Sequence, residues 1–423
     1  DNIVTYIIDR NINYTNVCNV VCTFCAFYRR PGAPDTYVRT MDEICEKIDE
    51  TIALGVTGVL MQGGLHPDFG VEWYENLLRT LSAKYPGFQL HCFSPPEIHN
   101  LHLISGLDYE TIMQRLRDAG LYSLPGGGAE ILDDEVRKRV ATKCTTQEWL
   151  DVMRAVHKVG LRSSATMMFG IGDRIEHRVN HLRRIRDLQD ETGGFFAFIP
   201  WTFQRENTAL GRKIKTEPTG IDYLKMLAVS VLFLDNIENF QSSWLTQGLR
   251  LGQVALRFGA NDMGSIMIEE NVVSAAGAHN RSDEETLRYL ISEADSFHSS
   301  GTFFTGTSIA IANRKKQPRK PLLLRLTSTF AVFQNPRAVA SDRIDLPGHE
   351  SQPKLVPAWR QSPTSLFLPP WVSLWPVTRA QFFSASAAVR WWPRTRQVAQ
   401  CRRRLASVRA RSCHRCDRSG AAR

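Results

Sequence analysis

The sequence lacks any run of about 18 uninterrupted apolar residues, the length that a membrane-spanning helix needs. No leader in which basic residues precede an apolar stretch is visible. Because the sequence starts at Asp1 rather than at Met, we expect the true N-terminus, with any targeting information, to be absent. The nine cysteines are odd in number and irregularly spaced, which argues against a disulfide-stapled extracellular domain. With 43% hydrophobic and 22% charged residues, the composition is that of a globular protein, and we expect a cytoplasmic one without membrane contact.

Acidic residues are scarce at the C-terminal end. From Ser296 onward there are 22 Lys and Arg against four Asp and Glu, whereas the preceding residues contain 30 basic and 39 acidic ones. The same segment holds 11 of the 20 prolines and five of the nine tryptophans, and it shows no apolar periodicity. We therefore divide the chain into a folded body, residues 1–294, and a basic tail, residues 295–423, which we predict to be disordered.

Two interpretations of the tail compete. Clustered arginines with tryptophans are typical of a nucleic-acid-binding extension. Out-of-frame translation of a GC-rich gene would also produce many arginines with scattered Pro, Trp, Ser and Ala. We favour the second interpretation, and we expect no specific nucleic-acid partner and no part for the tail in catalysis. Cys413-His-Arg-Cys416 has metal-like spacing but does not complete a site.

The body alternates short apolar runs with amphipathic stretches. Strands are predicted at residues 12–17, 58–61, 88–93, 121–124, 163–169, 195–199, 237–241 and 264–268. Helices are predicted at residues 41–53, 71–84, 109–119, 146–159, 176–189, 221–236 and 247–257. Strands separated by helices of this length indicate a parallel sheet. Eight alternations in under 300 residues predict an α/β fold, a (β/α)8 barrel of TIM type, with a doubly wound open sheet as the alternative. The barrel predicts functional residues after strands, at its C-terminal face.

Three cysteines follow the first predicted strand, in Cys18-Asn-Val-Val-Cys22-Thr-Phe-Cys25. Three thiolates in one loop can bind a 4Fe-4S cluster and leave one iron open to a small molecule. The alternatives are a zinc site or free thiols. A structural zinc site needs four ligands, and no second CxxC follows in the body. The spacing therefore favours a catalytic cluster, while Cys45, Cys92 and Cys144 lie singly and are expected to be buried.

Glycine-rich segments follow later strands. Gly63 and Gly64 would let backbone carbonyls approach a ligand ammonium group, although a plain turn is the alternative. His66 beside them is either substrate-facing or a capping residue. Glu130 ends a glycine run and either accepts hydrogen bonds from a ligand or begins the next helix. Apolar pairs such as Met167-Met168 are expected in the barrel core.

These motifs together resemble one enzyme superfamily. The cysteine spacing is similar to that of the radical S-adenosylmethionine (radical SAM) enzymes. Longer stretches resemble the futalosine branch of menaquinone biosynthesis, and within it the cyclic dehypoxanthinyl futalosine synthases. They are residues 7–18, 24–32, 61–67, 126–131, 165–170 and 199–203. The resemblance covers roughly residues 1–294, and it implies that a segment covering the barrel bottom is missing before Asp1.

The resemblance implies a cofactor pair, a 4Fe-4S cluster on Cys18, Cys22 and Cys25 and S-adenosylmethionine on its open iron. Reductive cleavage of that cofactor gives a 5′-deoxyadenosyl radical, which would take hydrogen from the ribose C4′ of dehypoxanthinyl futalosine before a C–C bond closes onto the benzoate ring. The implied cofactor-binding residues are Phe24, Gly63, Gly64, Glu130, Gly170 and Gly172. The electron donor would be a flavodoxin or a ferredoxin.

Substrate-binding and proton-accepting residues are less defined. Arg29 and Arg30 could pair with the substrate carboxylate, because a guanidinium binds a carboxylate in bidentate fashion, or one could be solvated and the other structural. His66, Glu130 and Tyr28 are candidate bases by position. The alternative activities are an aminofutalosine synthase and a deazaflavin-forming radical SAM enzyme. The non-enzyme alternatives are an iron–sulfur electron carrier and a protein that binds nucleic acid through the tail.

Overall fold

The computed structural model describes residues 3–141 and 143–294 and the backbone of residues 297–300. Its strands are β1 (Ile3–Ile7), β2 (Asn11–Ile12), β3 (Gly58–Met61), β4 (Gln89–Cys92), β5 (Ser123–Leu124), β6 (Arg162–Phe169), β7 (Phe195–Thr202), β8 (Asn239–Phe240), β9 (Asp262–Ser265) and β10 (Phe297–Ser300).

Helices connect successive strands. They are α1 (Met41–Ala53), α2 (Val71–Lys84), α3 (Pro95–Ser105), α4 (Tyr109–Asp118), α5 (Asp134–Val140), α6 (Thr146–Lys158), α7 (Ile175–Thr192), α8 (Gly220–Phe233), α9 (Trp244–Gln247), α10 (Leu249–Ala255) and α11 (Glu284–Glu293). None of the helices in the described part of the chain is long and apolar enough to cross a membrane.

The strands form a ring. β2 to β8 pair in sequence order in one parallel sheet, and β9 pairs with β1 in a second. A parallel bridge between Gln241 and Asp262 joins β8 to β9. Beyond β1, Ile268 N donates to Asp9 O (3.2 Å) and Asn11 N donates to Glu269 O (3.2 Å), so the β9 segment stays beside the chain as it enters β2. Eight strand positions therefore close on themselves, which confirms the predicted barrel and excludes the open sheet.

Local sequence signals explain the best-predicted elements. α1 begins at a capping box in which Thr40 Oγ1 accepts from Glu43 N and the Glu43 carboxylate accepts from Thr40 N. Ile44 and Ile48, one turn apart, are buried against the barrel. α1, α2 and β3 have the bounds that the sequence predicts.

The sequence predicts no helix at α3, α5 or α11, although the structure contains all three. α3 is buried along its whole first half, from Pro95 to Leu101, so it has no polar face from which a helical period could be read. α5 has only seven residues, too few for a periodic pattern. The predicted core residues Met167 and Met168 are buried, as are Cys45, Cys92 and Cys144.

β10 lies beyond the predicted body boundary at Ala294. It pairs in parallel with β1, from Ile3 with Phe297 to Tyr6 with Ser300. β9 pairs with one edge of β1, so β10 lies on the opposite edge. Further along the chain, at β2, that same edge is paired with β3. The rest of the predicted tail, from residue 301, is outside the described residues, and its two interpretations remain predictions.

We expect a chain that ends after Ser300 to be more stable than one that ends after Ala294, because only the longer chain keeps β10 beside β1. A loss of about 1 kcal/mol lowers the melting temperature of a domain of this size by roughly 2–4 °C, and we expect a difference of at least that size. Thermal unfolding of the two truncated chains measures it. Equal melting temperatures would show that β10 adds nothing to the barrel.

Candidate active site

A cavity of about 430 Å³ occupies the barrel interior. Its wall includes residues from the segments that follow β2, β3, β4, β5, β8 and β9, together with residues within β6 and β7. Cys18, Cys22 and Cys25 all line it. The predicted cluster cysteines therefore meet the loops at the C-terminal ends of the strands, where a parallel barrel places its chemistry.

The cysteine loop is fixed by backbone hydrogen bonds on three sides. Cys18 N donates to Arg29 O (2.8 Å), Asn19 N to Leu65 O (2.9 Å) and Thr23 N to Val140 O (2.8 Å). Cys18 is buried, and Cys22 and Cys25 are half-buried. Because the loop is already held in place, its thiols do not have to become ordered when a metal binds.

The donor set fits a 4Fe-4S cluster better than the alternatives. Among the described residues, no three His, Cys, Asp or Glu side chains converge on a single ion. A cubane has no such requirement, because each cysteine binds a different iron. Burial raises the pKa of the Cys22 thiol to about 12 and also raises that of Cys25, which argues against reactive free thiolates.

Gly63 and Gly64 pack directly beneath the cysteine loop. A Cβ on Gly64 would overlap the carbonyl oxygen of Val17 and lie 3.1 Å from Cys18 Cβ, and a Cβ on Gly63 would overlap the Tyr14 ring. Both glycines also line the cavity. Close packing thus requires glycine at these positions, and it brings their backbone to the place where a ligand of the cluster would lie.

Glu97 is a buried acid that sequence reasoning missed. Its Oε1 accepts from Tyr14 Oη (2.5 Å) and Gly63 N (3.3 Å), and its Oε2 accepts from Ser94 Oγ (2.5 Å). Burial raises its pKa to about 7, although these hydrogen bonds act in the opposite direction. Glu97 lines the cavity and ties α3 to the glycine loop. Ser94-Pro-Pro-Glu97 has the spacing of a capping box, which hides this role in the sequence.

Glu130 faces the cavity in an ion pair. Lys143 Nζ lies 2.8 Å from Oε1, and Arg137 Nη1 lies 3.8 Å from Oε2. Glu130 has φ of +40°, and α5 begins only at Asp134, so Glu130 does not begin the next helix. Lys143 Nζ also lies 5.0 Å from the centroid of the Phe24 ring. No pattern in the sequence points to Lys143, because its ion pair depends on the strained turn at Glu130.

Of the remaining predicted site residues, some line the cavity and others do not. Tyr28 lines the cavity. His66 is absent from the lining: its ring stacks on Phe69, and its Nδ1 accepts from Asp68 N (3.2 Å), which is a capping role. Arg29 is turned away, since it pairs with Asp35 and donates to the carbonyls of residues 26–28. Arg30 is exposed and does not line the cavity.

Gly170 and Gly172 also lie outside the cavity lining. Their φ values, +91° and +82°, require glycine in the turn after β6. The Asp173 carboxylate accepts from Gly170 N (2.7 Å) and Ile171 N (2.9 Å) and so stabilises that turn. The structure thus gives these residues a role in the turn, and it does not bring them to the predicted cofactor site.

Two further carboxylates in the cavity wall were not predicted. Asp9 and Asp262 are 2% and 3% exposed. Asp9 accepts from the Ser265 hydroxyl and Asp262 from Gly264 N, and neither forms an ion pair with a described cation. Burial raises the pKa of each to about 6. They lie after β1 and at the start of β9, in segments without recognisable motifs.

Comparison with known proteins identifies the family. The Radical SAM superfamily matches residues 12–185, and the CofH/MqnC C-terminal region matches residues 192–300. A cyclic dehypoxanthine futalosine synthase of Halalkalibacterium halodurans is 49% identical, over 69% of this chain and 79% of its own length. The protein of that name from Streptomyces coelicolor is 45% identical, over 70% and 74%. A 5-amino-6-(D-ribitylamino)uracil–L-tyrosine 4-hydroxyphenyl transferase of Methanococcoides burtonii is 41% identical, over 69% and 83%.

Solved structures agree in fold. Methylornithine synthase superposes with a TM-score of 0.55 at 18% identity, over 70% of this chain and 84% of its own. The [FeFe]-hydrogenase maturase HydG superposes with a TM-score of 0.57 at 13% identity, over 71% and 66%. At these identities the likeness concerns the barrel alone.

We predict that Gly64→Ala prevents most of the iron from binding, because the added Cβ would overlap the backbone that leads into Cys18. Iron and sulfide content after anaerobic reconstitution measures the loss. Gly70→Ala is the matched control, since a Cβ there meets only the flexible Glu72 side chain. Full iron content in Gly64→Ala would show that the loop can move away from β3.

The unchanged protein should lose stability as pH rises from 5 to 8, and the Glu97→Gln variant should lose less. Because the folded-state pKa is about 7, above the ordinary value of 4.5 for a glutamate, the folded protein binds the proton more tightly, and stability falls as pH rises between these values. The effect is on the order of 2–3 kcal/mol, and the variant should lack it. Melting temperatures of both proteins across this range measure it. Parallel curves would contradict a raised pKa.

Proposed function

Because this chain belongs to the radical SAM superfamily, in the family that includes the cyclic dehypoxanthine futalosine synthases, we propose that it cyclises dehypoxanthinyl futalosine in menaquinone biosynthesis. The observation that carries the proposal is the 49% identity to a relative of that name over 79% of its length, with all three cluster cysteines on one cavity. We propose a cytoplasmic enzyme that takes its electron from a flavodoxin or a ferredoxin.

Cys18, Cys22 and Cys25 would hold the cluster, and the backbone at Gly63 and Gly64 would receive the methionine end of S-adenosylmethionine. When bound, these two groups would supply a 5′-deoxyadenosyl radical able to remove one hydrogen atom from the substrate. The charge of the cavity wall supports a cationic cofactor. Its carboxylates are Asp9, Glu97, Glu130, Asp262 and Glu270, whereas Lys143 is the one Lys or Arg among the described lining residues.

Glu130 and Lys143 act as a unit at the adenosine end of this cofactor. Burial has the largest effect on the pKa of Lys143 and lowers it, but the charges of Glu130 and Cys22 and the hydrogen bond to Glu130 together outweigh burial. The pKa therefore lies above its usual value, and Lys143 stays protonated. The ammonium group holds the Glu130 carboxylate in place, and its oxygens can still accept hydrogen bonds from ribose hydroxyls. Because Glu130 is held in this ion pair, we do not assign it the role of the base.

Ring closure leaves a proton and an electron to be removed. The substrate gives up one hydrogen atom before the C–C bond forms, and then one proton and one electron as the benzoate ring becomes aromatic again, so the product is two hydrogens lighter. That electron would return to the oxidised cluster, so that one S-adenosylmethionine is consumed as the oxidant in each turnover. We propose Asp9 or Asp262 as the proton acceptor, because Glu97 and Glu270 are already occupied by several hydrogen bonds. Burial lowers the pKa of His91 to about 3, which makes it a weak base.

The archaeal relatives provide a second candidate function. The transferase of Methanococcoides burtonii, 41% identical over 83% of its length, is named for a reaction between 5-amino-6-(D-ribitylamino)uracil and tyrosine. The lower identity places this activity second.

Anaerobic incubation with dithionite, S-adenosylmethionine and each substrate tests the proposal. With dehypoxanthinyl futalosine we expect a product two hydrogens lighter, detected by mass spectrometry, and one 5′-deoxyadenosine per turnover. Cys22→Ala should abolish both products, since the cluster loses a ligand. Cys45→Ala is the control and should retain both, because Cys45 is buried in α1, outside the cavity. A coupled product from tyrosine and 5-amino-6-(D-ribitylamino)uracil alone would overturn the proposal.

A further inference from the structure

Two segments distant in sequence meet the cysteine loop at one residue. Thr23 lies between Cys22 and Cys25. Its N and Oγ1 donate to Val140 O, at 2.8 and 3.0 Å, and its carbonyl oxygen accepts from Leu210 N at 2.7 Å. The C-terminal end of α5 and the turn that starts at Leu210 are therefore fixed against the outside of the predicted cluster loop.

These segments carry five exposed cations, which we call the cation patch: Lys138, Arg139, Arg212, Lys213 and Lys215. None of the five forms an ion pair with a carboxylate in the described part of the chain. The nearby acids are engaged elsewhere, since Glu135 pairs with Arg174 and Glu217 pairs with Arg205. The patch therefore presents positive charge that no carboxylate of the described residues neutralises.

One geometric detail joins the two halves of the patch. Arg139 Nη2 donates to Gly172 O (3.0 Å). The position of a Cβ on Gly172 lies 3.5 Å from Arg139 Nη1 and 3.7 Å from Ile214 Cδ1. Arg139 and the turn of residues 212–215 thus lie against the same residue, on one surface.

The patch contrasts with residues 1–295 as a whole, which contain 39 acidic and 30 basic residues, the five of the patch included. Local positive charge on a part of the chain that is negative overall steers an anionic partner to one place. Residues 138–140 and 210–215 contain no aromatic side chain on which a base could stack, so the surface does not suit single-stranded nucleic acid.

We propose that the cation patch is the docking surface for an acidic protein that carries a one-electron group, a flavin or an iron–sulfur cluster. The inference rests on the proposed function, which requires a reduced cluster on Cys18, Cys22 and Cys25. A donor docked here is separated from two of these ligands by little more than Thr23, and electron transfer slows steeply with distance. The donor loses one electron and the cluster gains it, and no bond forms or breaks.

The test reverses charge on the full chain, with Lys138→Glu, Lys213→Glu and Lys215→Glu combined. Arg139 is left unchanged because it supports the turn at Gly172. The matched control combines Arg183→Glu, Lys225→Glu and Arg250→Glu, exposed residues on α7, α8 and α10 without a described ion pair. All proteins keep the same basic tail, so its attraction for acidic partners cancels in the comparison.

Two measurements apply to each protein. Calorimetry on each protein before its iron–sulfur cluster is reconstituted measures the binding of oxidised flavodoxin and of a 2Fe-2S ferredoxin at low salt. Stopped-flow absorbance of the reconstituted protein measures cluster reduction by the same carriers in reduced form and by dithionite, which needs no docking surface.

We expect the patch variant to bind at least one carrier roughly tenfold more weakly and to be reduced by it correspondingly more slowly, while dithionite reduces all proteins at one rate. The control should match the unchanged protein. The proposal would be overturned if the patch variant and the control variant bound both carriers, and were reduced by them, equally well. It would also be overturned if the patch substitutions weakened the binding of a single-stranded RNA but of neither carrier. If the proposed function fails, no cyclised product forms even with dithionite, and the reduction rates still decide the docking question.

Discussion

The packing of the cysteine loop on the loop after β3 is the contact on which the site depends. Gly64 N donates to Thr15 O (3.0 Å) and Asn19 N donates to Leu65 O (2.9 Å), so the two loops run side by side. Any side chain at Gly64 would push the chain at Val17 away. Backbone contact at this distance fixes the cluster ligands relative to the cofactor-binding backbone, and precise placement of both is what radical chemistry on a bound substrate requires.

Burying Glu97 beneath this contact is costly, and its hydrogen bonds explain why it is tolerated. Three donors from three segments converge on one carboxylate: Tyr14 from the first loop, Gly63 from the second and Ser94 from the turn before α3. A buried carboxylate with neutral donors is destabilising unless those bonds persist or a cation arrives. S-adenosylmethionine carries a sulfonium and an ammonium group, so the anionic wall is better matched to the loaded site than to the free one.

The sequence was sufficient for those features that depend on local pattern or on an unusual residue set. A one-sided apolar period predicted α1, and a CxxxCxxC after a strand predicted the cluster loop. Features that depend on burial from all sides or on distant partners were not predictable. α3 lacks a polar face, Glu97 resembles a cap, and Lys143 becomes an active-site cation only because Glu130 is held in a left-handed conformation. Arg29, expected to bind substrate, instead fills its donors with carbonyls of its own loop and with Asp35, which no spacing rule reveals.

The distribution of charge separates the routes of substrate and electron. The charged side chains of the cavity wall are five carboxylates and one lysine, an excess that would repel an acidic protein, whereas exposed cations gather behind the cysteine loop at Lys138 and Lys213. In the proposed function, a cluster on Cys18, Cys22 and Cys25 would therefore face two surfaces of opposite charge, with S-adenosylmethionine and substrate on the anionic side and the reductant on the cationic side. The electron would cross the loop at Thr23, so the reductant would not have to enter the substrate cavity. Water could then stay excluded from the cavity while the cluster is reduced.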